Sequence, residues 1–188
     1  MHQASAKGRS VDLGSTLKYL VSDGLLMQSD ANGLATDRRN RQEALLHPLQ
    51  YIASKQCSHA GNQRSLSIDV LTQWLATKSK LALVHIDPLK INVPAVTAVM
   101  SFAYAQRYGI LCIEERPQEL VVATMQPFDE SWIESLQQTS RKTVRTVVAS
   151  PVDITKYTLE FYALAKSVFG AGSSASVGAG ISNFEQLF

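Results

Sequence analysis

The feature that most constrains the fold of this chain is a change in hydrophobic periodicity near Lys80. Before it, apolar residues recur every three or four positions, which is typical of amphipathic helices, and Ser67 is placed to cap one of them. After it, short segments rich in β-branched residues alternate with helical ones. The pattern predicts an α+β fold, with an N-terminal helical module followed by a small sheet of about four strands packed with helices. The predicted strands are 82–86, 110–113, 120–124 and 144–149, and the helices that pack on them begin near Pro94, Asp129 and Pro151.

The composition changes again near the end of the sequence. Residues 170–180 are glycine, serine and alanine with one valine, the composition of a flexible linker. Residues 181–188 resume an amphipathic pattern, which suggests that another domain begins there. Three regions are therefore expected: an N-terminal helical module over residues 1–62, an α/β domain over 63–169, and a linker with the start of a motor domain over 170–188.

Composition and charge argue against several classes of protein. The 18 basic and 16 acidic residues leave a net charge of +2, and Arg38, Arg39 and Arg41 have acidic neighbours. We interpret these arginines as a solvated helix end or loop, and expect no nucleic-acid partner. Two distant cysteines, Cys57 and Cys112, fit a reducing cytosol better than a disulfide framework or a zinc site. Without an apolar run of about 20 residues or a signal peptide, the chain is expected to be cytoplasmic, with no direct membrane insertion.

No catalytic constellation is evident in the sequence. The phosphate-loop pattern G-x-x-x-x-G-K-[ST] is absent, and so is the nucleophile pattern G-x-S-x-G. The pairs Glu114/Glu115 and Glu130/Glu134 have no histidine beside them, and the four histidines are scattered. Such acids are usually solvated surface, and His47 and His85 are expected to be structural or surface residues. We predict no catalytic, cofactor-binding or metal-binding residue, and no enzyme activity in this chain.

Four short motifs are similar to those of one known family. They are D-P-L-K-I at the end of 81–91, A-Q-R-Y-G-I-L within 104–111, a strand running into A-T-M-Q-P-F-D at 120–129, and V-A-S-P-V-D-I within 147–154. Their order and spacing make residues 74–168 resemble the N-terminal domain of the type II secretion and type IV pilus assembly ATPases. Each motif is weak alone, and together they cover about half of the chain.

The resemblance implies a role in docking and regulation rather than in catalysis. In that family the domain is expected to join the motor to an inner-membrane platform or assembly protein and to contact its own C-terminal ATPase domain. ATP and Mg are implied only for the motor, and attachment to the inner membrane would be peripheral, through the partner. Whether the apparatus is a secretion system or a pilus is left open.

The resemblance also raises a second possibility, a cyclic di-GMP-sensing module. Some members bind this nucleotide through paired motifs similar to R-L-G-x-x-L-V-x-x-G-x-I, in which arginine reads guanine and glycine permits close approach. The first candidate copy, residues 15–26, has Ser15 and Leu17 where arginine and the first glycine belong. The second, 47–56, keeps only apolar positions. Cyclic di-GMP is therefore expected not to bind, although this sensing role is kept as the alternative.

The N-terminal helices carry more apolar residues than three short helices can bury among themselves. Most are expected to pack on the α/β unit, and the rest to face a partner. The stripe formed by Leu17, Leu20 and Val21 is the predicted partner-binding surface, because it lies farthest in sequence from the core domain.

Overall fold

A computed structural model describes residues 10–61 and 65–174. Eight α-helices and a three-stranded sheet are present in these ranges. In chain order the elements are α1 Leu13–Ser22, α2 Gln28–Thr36, α3 Pro48–Ser54, α4 Ile68–Ser79, α5 Val93–Ala98, α6 Phe102–Tyr108, β1 Ile110–Glu115, β2 Glu119–Thr124, α7 Ile133–Ser140, β3 Thr143–Val148 and α8 Pro151–Ser174. The α+β class, with helices first and a small sheet after them, is confirmed.

Local capping explains where several helices begin. Ser67 accepts a hydrogen bond from the Val70 amide at 3.4 Å, which caps α4 as predicted. Proline at the first position opens α8 at Pro151, also as predicted. Asp129 does not cap α7: its carboxylate accepts from the Ser131 amide at 3.0 Å and turns the chain before the helix starts.

The helix predicted to begin near Pro94 is two helices. Ser101 interrupts it, because its hydroxyl accepts from the Tyr104 amide at 3.2 Å and caps a new helix, α6. On either side of the break, α5 and α6 both contact β1 and α8.

The sheet has three strands in the order β1-β2-β3, not about four. β1 and β2 form an antiparallel hairpin with a bulge near Cys112, and β3 runs parallel to β2 after the crossover through α7. Residues 82–86 make a single parallel bridge, Leu83 to Val148, at the end of β3. Leu83 aligns with the last residue of β3 and the chain then turns into α8, so the pairing does not continue along 84–86 and the segment is not a strand.

Two hydrophobic clusters form the core. One surrounds the sheet and includes Val122, Val147 and Trp132 together with α5, α6 and the inner face of α8. The other lies among α1 to α4 and includes Leu20, Leu49 and Leu75. α4, which the sequence assigns to the α/β domain, contributes its buried residues to this second cluster. The predicted division at residues 62 and 63 stays a prediction, but the packing groups α4 with the helices before it.

The final helix extends further than the sequence indicates. α8 runs to Ser174, so the first five residues of the predicted linker 170–180 are helical. The rest of that linker, and the predicted start of a motor domain, lie outside the described residues. Within the described part of the chain, no helix is long and apolar enough to span a bilayer.

Candidate functional site: the junction between the helices and the sheet

The loop after β2, residues 125–128, is where the N-terminal helices meet the sheet, and we call it the junction loop. The side-chain oxygen of Gln126 accepts from the Val11 amide at 2.6 Å, which holds the chain just before α1. Phe128 packs on the helical cluster, and Val148 at the end of β3 belongs to that cluster while its neighbour Val147 belongs to the other. Successive strand residues point to opposite faces, so the end of β3 lies between the two cores. A displacement of the helices would therefore change the packing at the end of β3.

His47 ties α3 to the same loop. Its Nδ1 accepts from the Leu49 amide at 3.3 Å, so Nε2 carries the proton and donates to the Met125 carbonyl oxygen at 3.0 Å. Gln50 accepts from the His47 amide and completes a capping box at the start of α3. Burial lowers the pKa of His47 to about 4, although the bond to Met125 acts in the opposite direction. This histidine is a neutral structural residue, which agrees with the expectation from sequence.

The contact between α1 and α4 is polar at one end. Asp23, at the end of α1, accepts from the indole nitrogen of Trp74 at 2.8 Å and from the Lys78 ammonium at 2.9 Å. These bonds, that of Lys78 first, lower the pKa of Asp23. Beside Asp23 and Lys78 lies a mainly apolar cleft of about 200 Å³, which is lined by Tyr19, Trp74 and Phe128. The sequence offered no signal for this three-residue contact, because Asp23 and Trp74 are 51 positions apart.

The predicted partner-binding stripe is not exposed. Leu17 and Leu20 are 3% and 0% exposed and lie in the helical cluster, and Val21 is half-buried against it. The expectation of an exposed stripe is wrong because α1 packs on α2 and α3 and turns this face inward. A partner could reach Leu17 and Leu20 only if α1 left the core.

The two segments weighed as nucleotide motifs both belong to the helical module. Residues 15–26 form most of α1 and its end, where Gly24 takes a positive φ of 74° as a glycine after a helix often does. Residues 47–56 form α3 with its cap. The apolar positions of both segments serve the shared cluster, with Leu20, Leu49 and Ile52 fully buried.

The carboxylate pairs are surface groups. Glu114 and Glu119 both bond Arg116, Glu115 pairs with Lys142, and the first of these bonds lowers the pKa of Glu114. Glu130 and Glu134 are exposed. No group of three or more histidine, cysteine, aspartate or glutamate residues in the described ranges is arranged to hold a metal ion.

Comparison with known proteins assigns the family. The MshEN domain family matches residues 79–168, from the end of α4 into α8. The type IV pilus assembly ATPase TfpB of Acinetobacter baylyi (strain ATCC 33305 / BD413 / ADP1) is 32% identical over 168 residues, which is 88% of this chain but only 29% of TfpB.

Two solved structures share the fold. MshE with cdg (cyclic di-GMP) has a TM-score of 0.51 at 18% identity and covers 81% of this chain and 99% of its own. The N-terminal domain of XpsE has a TM-score of 0.51 at 15% identity, covering 84% and 96%. Residues 79–168 therefore form an MshEN domain, and the chain is homologous to the type IV pilus assembly ATPase TfpB and shares its fold with MshE and with the N-terminal domain of XpsE.

Proposed function

We propose that this chain is the non-catalytic N-terminal docking and regulatory region of a bacterial type II secretion or type IV pilus assembly ATPase. In this role it links a cytoplasmic motor to an inner-membrane platform protein and holds the motor at the membrane through that partner. The observation that carries the proposal is the match of 88% of this chain to only 29% of a pilus assembly ATPase. ATP and Mg would be bound by the remainder of such a protein, and this region would bind neither.

The junction described above supports a regulatory part in that role. A partner that shifts α1 or α3 would displace Val11 or His47, and both are bonded to the loop that follows β2. From that loop the chain passes through α7 to β3, and β3 leads directly into α8, the last described helix. A docking event on the helices can thus be transmitted along packed elements.

Binding between purified chain 1–188 and the cytoplasmic part of the platform protein from the same organism tests this role. We expect a saturable complex in calorimetry and no ATP turnover above a buffer control. If the platform protein fails to bind, the docking role is wrong. Steady ATP hydrolysis that follows the chain through successive purification steps would show that the region is itself catalytic.

A cyclic di-GMP-sensing module is the second candidate, because the fold is shared with MshE, solved with cdg. Against it, Ser15 and Leu17 occupy the positions where the binding motif needs arginine and glycine, and Leu17 is buried. Calorimetric titration with cyclic di-GMP separates the two roles. No heat of binding at micromolar nucleotide is expected, and saturable binding would favour the sensing role.

A further inference from the structure

The loop between α2 and α3 is exposed along nearly its whole length. We call residues 37–46 the basic loop. Residues 35–42 and 44–46 are all exposed, and Leu45, at a short 3-10 turn, is 85% exposed. The loop also carries Arg38, Arg39 and Arg41. It therefore exposes two leucines, Leu45 far more than Leu46 at 37%, on the same short loop as three arginines.

The two acids of the basic loop are already engaged. Lys55 bonds Asp37 at 2.8 Å and Glu43 at 2.9 Å, and Tyr51 donates its hydroxyl proton to Asp37 at 2.8 Å. Asn40 accepts from the Glu43 amide at 2.9 Å and donates its own amide proton to the Glu43 carboxylate at 2.9 Å. These bonds hold the shape of the loop, and the Lys55 ammonium offsets one of its two negative charges.

The three arginines are exposed, and none has a carboxylate partner among the residues that the structure describes. In residues 10–61 and 65–174, no carboxylate oxygen lies within 4.0 Å of the guanidinium nitrogens of Arg38, Arg39 or Arg41. Arg39 lies over the ring of Tyr51 at 5.6 Å, which restricts its orientation. Guanidinium groups bind phosphate oxygens in a bidentate fashion, so the free charges suit an anionic phosphate surface.

We propose that the basic loop binds the anionic phospholipid headgroups of a membrane, with Leu45 reaching the boundary between headgroups and acyl chains. An exposed loop that combines basic and apolar side chains suits the boundary of an anionic membrane, whereas a protein segment that docks on apolar residues usually requires a groove. One loop of ten residues is also too small for a stable protein interface, but a few basic residues and one apolar anchor suffice for weak membrane contact. The inference goes beyond the proposed docking role and does not depend on the platform protein. It involves no membrane-spanning segment.

Co-sedimentation of the full chain with lipid vesicles tests the proposal, at several millimolar lipid and low salt. Vesicles of phosphatidylcholine containing about a third phosphatidylglycerol should bind the chain, and vesicles of phosphatidylcholine alone should bind it at least about tenfold more weakly. Binding should fall as salt rises, since the Debye length is about 8 Å at 0.15 M ionic strength.

Matched variants localise the contact. Arg41→Ser should weaken binding about fivefold, since each basic residue near an anionic surface contributes about 1 kcal/mol. Leu45→Ser should weaken it about tenfold through lost apolar burial. The controls are Arg107→Ser on α6 and Leu89→Ser, whose side chain is 95% exposed in another turn. Both controls should stay within about twofold of the unaltered chain.

Two results would overturn the proposal. The chain could fail to bind the anionic vesicles, or the controls could weaken binding as much as the loop variants do. If the vesicles are not bound and Arg41→Ser and Leu45→Ser instead weaken binding to the cytoplasmic part of the platform protein, the loop contacts an acidic protein segment and not a membrane. Because the vesicles contain no protein, failure here leaves the proposed docking role standing.

Discussion

At the scale of single residues, two glycines with positive φ differ in what surrounds them. Gly24 has φ 74° and nothing within 4 Å of where a Cβ atom would lie. Gly109, with φ 61°, leads into β1, and its Cβ position is 2.6 Å from the Met125 methyl carbon and 2.9 Å from Met125 Cγ. At both positions the positive φ makes the backbone conformation unfavourable for a residue with a Cβ atom. Of the two, only Gly109 also lies against the junction loop.

Replacing each glycine by alanine separates these two costs. Gly24→Ala should lower the free energy of unfolding by about 1 kcal/mol from backbone strain alone. Gly109→Ala should cost about 2–3 kcal/mol, because Met125 must also move within a packed region. Urea denaturation of the two variants measures the difference. Equal losses would show that the methionine adapts without cost.

His47 should make stability depend on pH. Its pKa in the folded chain, about 4, is below its ordinary value of 6.5, so the unfolded chain binds more protons between these values. The stability it contributes is fully present above pH 6.5 and is lost as the pH falls toward 4. Between pH 7 and pH 5 the loss should be about 2 kcal/mol.

The variant His47→Asn provides the comparison for this effect. Asparagine can still cap α3 but does not titrate. The fall in unfolding free energy from pH 7 to pH 5, measured in urea, should be about 2 kcal/mol smaller in the variant. An unchanged pH dependence would assign the effect to the carboxylates instead.

At the scale of elements, α1 shows how packing decides the use of an apolar stripe. The helix is amphipathic, and its sequence is equally compatible with an apolar stripe buried in the core and with one exposed to a partner. α2 and α3 supply those neighbours, and Leu17 and Leu20 become part of the core. The stripe therefore stabilises the module rather than presenting a surface.

Truncation of Leu20 tests this packing. Leu20→Ala should lower the free energy of unfolding by about 2–5 kcal/mol, because the side chain is fully buried. Lys18→Ala, on the exposed face of the same helix, should change it by less than about 0.5 kcal/mol. Thermal and urea unfolding followed by circular dichroism provide both values. A Leu20→Ala variant as stable as the Lys18→Ala variant would mean that α1 is not docked as described.

At the scale of the whole molecule, the two clusters share the junction loop and the end of β3. Three residues of the junction loop contact the helices, Gln126 and Met125 through hydrogen bonds and Phe128 through packing. The strand before them, β2, is central in the sheet. Shared elements of this kind couple the stability of two cores, because neither can open without exposing part of the other.

The two tryptophans of the chain report on the two clusters separately. Trp74 lies in the helical cluster and Trp132 in the sheet cluster. In the single-tryptophan variants Trp132→Phe and Trp74→Phe, we expect the fluorescence transition in urea to coincide with that of far-ultraviolet circular dichroism. Separate midpoints within either variant would show that the helical module and the MshEN domain unfold independently.

The sequence by itself determined the features that depend on neighbouring residues. Ser67 and Pro151 start helices through local hydrogen bonding and backbone geometry, the β-branched segments near 110, 120 and 144 form strands, and the missing phosphate-loop pattern can be read directly. The family motifs could also be recognised in the sequence, because turns and helix starts require particular residues at fixed spacings.

Only the tertiary structure decided what depends on distant partners. Residues 82–86 have the composition of a strand, but Leu83 meets β3 only at its last residue, Val148, after which the chain turns into α8. The burial of Leu17 and Leu20, the bond from Trp74 to Asp23 and that from His47 to Met125 likewise join segments from different parts of the chain. The hydrophobic periodicity of a segment shows that one of its faces is apolar, but which element covers that face depends on tertiary packing.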